Sequence, residues 1–349
     1  MIPKQHPTVP QPCTAVILVH LGTPEKPTPK SIRRFLAEFL ADRRVIEAPR
    51  WLWWLILNCF ILPFRPRKIQ HAYQAIWDHE RQQSPLRSFA EDQCTLLKPY
   101  ADKLDIGIHF AMRYGQPSID SVIKTLHQKG ARKILIAPLY PQYSATTTAS
   151  VRDEVYRTLI SMRWQPNVRF IDDYADHPSY IDTISASIQK HLNQLSWQPD
   201  LIIASYHGLP QSYFQQGDPY HCFCLKTTRL ICEQLQLDKD TITSAFQSRF
   251  GRAQWLQPYL EPLVASLPEK GVKKIVIVAP GFSVDCLETL EEINIGIRET
   301  FLEAGGECFS YIPCINADDS AITLYQKLLS DALSGWVAAN QGVADVIED

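Results

Sequence analysis

The sequence has almost no net charge, no hydrophobic run long enough to cross a membrane and no recognisable secretory signal. Its 35 basic and 37 acidic residues give a formal net charge of −2, so the basic excess typical of nucleic-acid-binding proteins is missing. The most apolar stretch, at 51–64, falls short of the roughly 20 residues that a transmembrane helix needs. We therefore expect a cytoplasmic protein that binds no nucleic acid.

The cysteines number nine, an odd count, and they are irregularly spaced. Without a secretory signal, this pattern favours thiols or metal ligands in a reducing compartment over disulfide bonds.

A chain of 349 residues, 45% of them hydrophobic, can bury a substantial core and by its length holds about two domains. Apolar runs predicted to be strands alternate with segments of helical periodicity, which indicates parallel sheets flanked by helices. Two of these strands, at 15–19 and 201–204, run into similar turns, HLGTP and HGLP. The sequence thus predicts two α/β units that begin in the same way.

The apolar segment at 51–64, WLWWLILNCFILPF, contains three tryptophans and has arginines on both flanks. One interpretation is a core helix, the commoner fate of an apolar segment of this length. The other is an exposed lip that contacts a bilayer or a flat apolar ligand. We prefer the lip, because three tryptophans and flanking arginines suit an interface better than a dry core.

The strand predicted at 201–204 stops at SYHGLP, where Gly208 and Pro210 turn the chain. His207 therefore lies at the carboxyl end of a strand, where open α/β sheets place their ligands. An imidazole there can accept a proton or bind a metal near neutral pH. A core histidine bonded to the backbone is the simpler alternative.

A second polar stretch follows another predicted strand, IVIVA at 275–279. Glu288 and Glu292 are four residues apart and would share one helix face, with Asp285 a turn earlier on a similar face. Like charges at this spacing repel, so solvent, a basic partner or a cation has to compensate, although a solvated acidic helix start remains an alternative. Carboxylates facing an imidazole favour iron, cobalt or zinc.

Taken together, these motifs resemble the ferrochelatases, especially the proteobacterial members. The resemblance runs nearly end to end and rests on VHLGTP, RRFLAEFLADRRV, SPL, RYG, PQYS, SYHGLP, GDPY, QSRFG and DCLETLEEI. It implies a lyase that inserts Fe²⁺, as a substrate, into protoporphyrin IX to give protohaem, the last step of haem biosynthesis. We expect a monomer, and peripheral membrane contact through 51–64 stays open.

The resemblance also implies the architecture. It predicts two similar Rossmann-like domains, each a four-stranded parallel sheet flanked by helices, with a porphyrin cleft between them and a lip over it. The first domain would comprise 1–177 plus 320–349, with a C-terminal helix that returns to it. The second would comprise 178–319 and carry the histidine and the acidic helix.

Individual roles follow from the same resemblance. His207 matches the family's essential histidine, as proton acceptor or metal ligand, and Glu288 matches its partner carboxylate on the opposite side of the porphyrin. The residues predicted to bind or relay metal are His207, Glu288, Glu292 and Asp285. The residues predicted to hold the porphyrin or line the metal route are Leu21, Arg113, Tyr114, Tyr143, Trp255 and Phe282.

The sequence departs from the family pattern at two places. His20 replaces the usual Asn before Leu-Gly and adds a titratable group near the cleft. The loop PQYSA has Ala145 where cluster-binding members have a cysteine, so that type of [2Fe–2S] site is absent. A separate group, Cys222, Cys224 and Cys232, lacks the fourth thiolate that such clusters need. We expect ordinary thiols there; the alternative is a [2Fe–2S] cluster completed by an outside ligand, since some microbial relatives use internal cysteines.

Two rival functions remain open. One is a chelatase of the same fold that inserts iron into coproporphyrin or cobalt into an early tetrapyrrole. The other is a tetrapyrrole carrier without chemistry, which would explain the aromatic residues but not the row of acids opposite a histidine.

Overall fold

Within residues 6, 8–251 and 253–337, which the computed structural model describes, the chain forms two parallel sheets of four strands each. The strands of the first sheet are β1 (Cys13–Gly22), β2 (Ile106–Tyr114), β3 (Ala131–Pro138) and β4 (Asn167–Phe170). Those of the second are β5 (Leu201–His207), β6 (Ile242–Gln247), β7 (Lys274–Val278) and β8 (Cys308–Ile312). The spatial orders, β2-β1-β3-β4 and β6-β5-β7-β8, are equivalent, so the predicted pair of similar four-stranded parallel sheets is confirmed.

Helices fill the crossovers between strands, as parallel pairing requires. They are α1 (Pro29–Ala41), α2 (Arg50–Ile56), α3 (Leu62–Lys68), α4 (Gln70–Ala75), α5 (Pro85–Leu96), α6 (Lys98–Lys103), α7 (Ile119–Gln128), α8 (Ser150–Ile160), α9 (Pro178–Leu192), α10 (Gln211–Gln215), α11 (Tyr220–Gln234), α12 (Leu260–Ser266), α13 (Arg298–Glu303) and α14 (Asp319–Leu333). Wider π-helical segments, Leu57–Ile61, Ala145–Ala149 and Glu288–Ile297, adjoin α2, α8 and α13, and a 3₁₀ turn, Pro268–Lys270, follows α12.

The central strands are buried on both faces, which explains their continuous apolar sequences. Residues 16–19 of β1 and 202–204 of β5 are almost completely inaccessible to solvent. Val16 and Leu18 of β1, Ile202 and Ala204 of β5, and residues of β3 and β7 belong to one hydrophobic core that extends from the first sheet into the second. The side chains on the opposite faces belong to two other cores, one beside each sheet. The two sheets therefore share an interior.

Helix α1 shows how local sequence sets an element's ends. Thr28 accepts a hydrogen bond from the Ser31 amide through its hydroxyl, and Pro29 occupies the first helical position, where its missing N–H costs nothing. The apolar spacing over 30–40 predicts a helix with one apolar face. That face packs inward, with Ile32 and Leu40 buried. Capping and periodicity thus agree, and the predicted helix is confirmed.

Two predicted boundaries shift for identifiable reasons. The apolar stretch CFSYIPCI predicts a last strand over 308–315, but this strand ends at Ile312, because Pro313 has no N–H to continue the ladder. The acidic helix, predicted to begin near Asp285, begins its regular turns at Glu288. The backbone N–H of Asp285 instead donates to Oδ1 of Asn316 at 2.7 Å, which holds that residue in a loop.

The segment 51–64 has one buried face and one exposed face. Trp53 is 8% exposed, and its indole N–H donates to the Leu40 carbonyl at 2.6 Å. Trp51 and Trp54 are 71% and 61% exposed. The prediction that all three tryptophans suit an interface is therefore wrong for Trp53, which belongs to the core. No helix in the described part of the chain is long and apolar enough to span a bilayer.

Candidate active site

His207 ends β5, as predicted from the turn that follows it. Its Nδ1 lies 2.7 Å from the carbonyl oxygen of Gly208. A carbonyl can only accept, so this contact places a proton on Nδ1 and leaves the lone pair of a neutral ring on Nε2. The geometry thus prepares Nε2 as a proton acceptor or metal ligand.

The turn after His207 requires a glycine. A Cβ atom at Gly208 would lie 2.7 Å from the Gln247 carbonyl oxygen and 3.1 Å from the Trp255 ring. Trp255 therefore packs directly on the backbone beside His207, and it pairs with Pro210 in an isolated bridge. Trp255, predicted from the resemblance to hold the porphyrin or line the metal route, therefore lies beside the histidine.

Gln247 joins the histidine strand to the acidic helix. It stands beside His207 in the β5–β6 register. Its side-chain nitrogen donates to the backbone oxygen of Glu288 at 2.8 Å and to Oε2 of Glu292 at 3.2 Å, while its side-chain oxygen accepts from Ser205. The Ser248 hydroxyl donates to the same Glu292 oxygen. This network brings the carboxyl end of β5 and the acidic segment together.

The electrostatics of Glu292 reflect that convergence. Burial raises the pKa of Glu292, the charge of Glu288 raises it further, and the Ser248 hydroxyl and His207 oppose the increase. A carboxyl group with a raised pKa beside a histidine is suited to proton transfer near neutral pH. The structure thus places Glu292 within electrostatic reach of both Glu288 and His207.

Asp285 has a different environment from the two glutamates. Its buried carboxylate accepts hydrogen bonds from the Tyr311 hydroxyl at 2.7 Å, the Thr289 hydroxyl at 2.9 Å and the Asn316 amide at 2.7 Å. None of these donors contacts the Glu292 carboxylate within the described residues. The contacts favour an anchoring role for Asp285 over the predicted metal-binding role.

Glu288 lines a small cavity, and only some of the other residues that line it were predicted from the sequence. Leu21 lines it too, as expected for a residue under the macrocycle, and so does Ser84 of the SPL motif. Tyr73 is an unpredicted neighbour, and burial and then the Glu288 charge raise its pKa. No sequence periodicity pointed to Tyr73, because its short helix α4 contains little apolar pattern.

Arg65 is a second residue that the sequence did not assign to the site. It was counted among the basic flanks of 51–64, yet its guanidinium lies 4.8 Å from the Phe250 ring centre. Burial lowers its pKa, and the charge of Glu292 opposes that decrease. Arg65 therefore points inward towards the acids, unlike the exposed Arg67.

Arg113 and Tyr114 end β2, but neither is an open binding surface. The Nη2 of Arg113 donates to Asp42 at 2.5 Å, and its Nε donates to the Ser150 hydroxyl at 2.7 Å. Tyr114 is 1% exposed, and its hydroxyl donates to the same Asp42 oxygen at 2.8 Å. The predicted contact residues are thus linked through an acid, Asp42, that the sequence analysis did not single out.

The remaining predicted residues lie around these elements. Tyr143 is half-buried, with its ring centre 5.8 Å from the Arg152 guanidinium. The neighbouring Ser144 donates to Asp218 at 3.0 Å, which joins the PQYS and GDPY motifs across the two sheets. Phe282 is half-buried and packs on both the second-sheet core and a small cluster at the α5 side.

The other polar candidates do not join the site. His20 is 2% exposed, and burial lowers its pKa to about 4, against the opposing effect of a contact with Gln93. Of the three cysteines on α11, Cys222 is exposed, whereas Cys224 and Cys232 are buried. Among residues 6, 8–251 and 253–337, no three His, Cys, Asp or Glu side chains form a group that could hold a metal ion.

The two parallel sheets, with a site at the carboxyl edge of the second, are the architecture of the chelatase fold. The structure is similar to that of SirB from Bacillus subtilis with Fe³⁺, with a TM-score of 0.52 at 10% identity over 92% of this chain and 95% of that one. It is also similar to the sirohydrochlorin chelatase SirB from Bacillus subtilis subspecies spizizenii in complex with cobalt, with a TM-score of 0.51 at 9% identity over 95% and 98% of the two chains. At these identities the likeness concerns the fold alone.

Sequence relatives give the family. The ferrochelatase family model matches residues 13–333. The ferrochelatase of Rhizobium etli (strain CIAT 652) is 48% identical over 96% of this chain and 98% of that protein. The ferrochelatase of Agrobacterium fabrum is 46% identical over 96% and 98%. The chain belongs to the ferrochelatase family, and the resemblance drawn from its motifs is confirmed.

Proposed function

We propose that this protein is a lyase that inserts Fe²⁺ into protoporphyrin IX to form protohaem, the last step of haem biosynthesis. The observation that supports this most directly is the convergence of His207 with Glu288 and Glu292 through Gln247. Family membership supports the choice of iron and porphyrin. A carrier would have no use for a buried acid of raised pKa beside a histidine.

Metal insertion requires the loss of two protons from the pyrrole nitrogens. We assign the first acceptor to Nε2 of His207, because Nδ1 is committed to the Gly208 carbonyl. Glu288, which lines the cavity, receives the other proton first and can pass it to Glu292, whose pKa is raised. In this assignment Glu288 is the opposing carboxylate, which also attracts Fe²⁺, and Asp285 anchors the start of the acidic segment.

The porphyrin would lie between these groups and the floor around Leu21. Trp255 and Phe282 supply apolar walls, and Tyr143 belongs to the loop that Asp218 ties to the second sheet. We propose that Tyr114, which is buried, acts indirectly by fixing Asp42 and Arg113.

The experiment that tests the function is fluorescence detection of metalloporphyrin formation from Zn²⁺ and porphyrin. We expect His207→Ala to abolish insertion while porphyrin binding persists, and Glu288→Gln to lose most activity. Near-normal turnover of His207→Ala would refute the assignment. If Glu288→Gln changes only the apparent metal affinity, Glu288 is a metal ligand and not a proton acceptor.

The same assay separates the rival substrates. Protoporphyrin IX should be converted faster than coproporphyrin, and Fe²⁺ should be inserted in preference to Co²⁺. A protein that binds porphyrin tightly without converting it with any metal would be a carrier.

Three further assignments belong to this proposal. The domains are 1–177 plus 320–349 and 178–319, with 338–349 and the first residues outside the described part. The return of α14 is supported by hydrogen bonds from Lys133 and Arg169 of the first sheet to carbonyl oxygens at the end of α14 and just after it. The protein would be a cytoplasmic monomer, touching the inner membrane through 51–64.

We also propose that Cys222, Cys224 and Cys232 are ordinary thiols. Cys224 lies inside the main core and Cys222 on the exposed face of the same helix, so their side chains point apart. Purified protein should therefore show no labile sulfide and no visible absorption typical of a [2Fe–2S] cluster. One cluster per chain would overturn this assignment.

A further inference from the structure

Asp42, just beyond the end of α1, accepts hydrogen bonds from three separate elements. Its Oδ2 accepts from Arg113 at 2.5 Å, from the Ser150 hydroxyl at 2.6 Å and from the Tyr114 hydroxyl at 2.8 Å. Its Oδ1 accepts from the backbone N–H of Arg44 at 2.8 Å. The side chains of Asp42 and Arg113 are only 8% and 11% exposed. Such a convergence of donors is specific to a charged carboxylate.

The protonation state of Asp42 agrees with that geometry. Burial alone would raise its pKa, but the Ser150 hydroxyl, the Arg44 amide and the Arg113 charge together lower it. Asp42 is therefore a full negative charge beside the guanidinium at neutral pH. Glu154 adds a second, looser partner 3.8 Å from Arg113.

Arg113 lies near the cavity that Glu288 lines, so the balance of charge between Arg113 and Asp42 affects the site. Tyr114, the next residue, stands opposite Gly22 in the β1–β2 register, so Arg113 lies on the strand adjacent to Leu21. Leu21 lines the cavity of Glu288. An uncompensated guanidinium at this edge would repel an approaching dication, since charges at a partly desolvated edge interact over several ångströms. The porphyrin would not be repelled, because its ring is apolar and its two propionates are anions, which a guanidinium attracts.

Building on the proposed metal insertion, we propose that Asp42 is the counter-ion of Arg113 and keeps the cleft accessible to a divalent metal. Asp42 is a positioning residue, because it acts through Arg113 and touches neither substrate. The hydrogen bonds around Asp42 predict that its negative charge, more than the shape of its side chain, sets the apparent affinity for metal.

The test measures the KM for Zn²⁺ at saturating protoporphyrin IX, and the KM for porphyrin at saturating Zn²⁺, at low and high salt. Asp42→Asn should raise the metal KM by about tenfold at low salt and by less at high salt, because salt screens the charge of the guanidinium at the cleft edge. The porphyrin KM should not rise, because the ring is apolar and its propionates are anions. Asp42→Glu, which keeps the charge, should restore the metal KM.

A double variant isolates the charge from the packing. Without the guanidinium, loss of the Asp42 charge should have no further effect, so Asp42→Asn with Arg113→Gln should have the same metal KM as Arg113→Gln alone. The matched control is Asp153→Asn, which removes an acid that pairs with Arg44 at 2.8 Å on the more exposed side of the same region. It should leave both KM values unchanged.

Three outcomes would overturn the inference: equal increases in both KM values, a metal KM in the double variant above that of Arg113→Gln alone, or no effect of Asp42→Asn. If Asp42→Asn does not fold, Asp42→Glu and the double variant decide: a raised metal KM in Asp42→Glu, or in the double variant relative to Arg113→Gln, contradicts the inference. A natural protein that inserts no metal would refute the proposed function and this inference together. Active natural protein with unaffected variants would refute the inference alone.

Discussion

The buried His20 makes a quantitative prediction about stability and pH. In the folded protein burial lowers its pKa from 6.5 to about 4, so the ring stays neutral where an unfolded histidine would gain a proton. Its contribution to stability is fully present above about pH 6.5 and is lost as the pH falls towards 4, because protons then favour the unfolded chain. Each pKa unit corresponds to about 1.4 kcal/mol, so the loss is about 2 kcal/mol at pH 5 and about 3 kcal/mol at pH 4.

Urea unfolding at several pH values measures this loss directly. The informative variant is His20→Asn, which keeps a hydrogen-bonding group of similar reach but cannot titrate. Between pH 7 and pH 4 the free energy of unfolding should fall by about 3 kcal/mol more in the natural protein than in His20→Asn. His79→Asn, at an exposed histidine, serves as the control and should track the natural protein. Parallel pH profiles for the natural protein and His20→Asn would refute this account of His20.

Three other predictions follow from the geometry. Glu292→Gln should raise the free energy of unfolding at pH 8 but not at pH 4. The raised carboxyl pKa has no cost below the ordinary carboxyl pKa; the cost grows as the pH rises above that value and is complete above the raised pKa. Equal gains at both pH values in urea unfolding would contradict this. Serines in place of the exposed Trp51 and Trp54 should reduce sedimentation with anionic liposomes without lowering the melting temperature, whereas unchanged sedimentation would remove the membrane role of 51–64. Ser84→Ala should cost about 1 kcal/mol in thermal unfolding, because the Ser84 hydroxyl caps α5; an unchanged melting temperature would count against that cap.

The sequence predicted the sheets well because their strands are buried on both faces. A continuous apolar run such as 16–19 would expose apolar side chains on a sheet with one solvated face. The run itself therefore predicted a parallel sheet covered on both faces. The position of His207 was predictable for a related reason. A turn of glycine and proline directly after such a run can only lie at the carboxyl edge of the sheet.

The acidic segment was harder to predict, because it does not follow α-helical periodicity. A spacing of 3.6 residues per turn would place Asp285 beside Glu288 and Glu292, but the segment is π-helical from Glu288 onwards. Asp285 instead bonds to Asn316, a loop residue that is distant in sequence. No local pattern could reveal that partner.

The site residues that were missed share another property. Arg65 lies in a stretch of basic residues that reads as a solvated flank, and Asp42 lies at the end of an amphipathic helix. Each points inward because of a tertiary partner, Phe250 for the first and Arg113 for the second. Charge patterns show that such residues are present, but only packing shows where they point.

The equivalent strand orders place a histidine in the same topological position twice. β1 lies between β2 and β3, and β5 lies between the equivalent strands β6 and β7. Each of the two carries a histidine towards its carboxyl end. The His20 ring is buried, whereas the His207 ring is partly exposed. Corresponding strands of two similar sheets thus differ in access: of these two imidazoles, only that of His207 can be reached by a ligand.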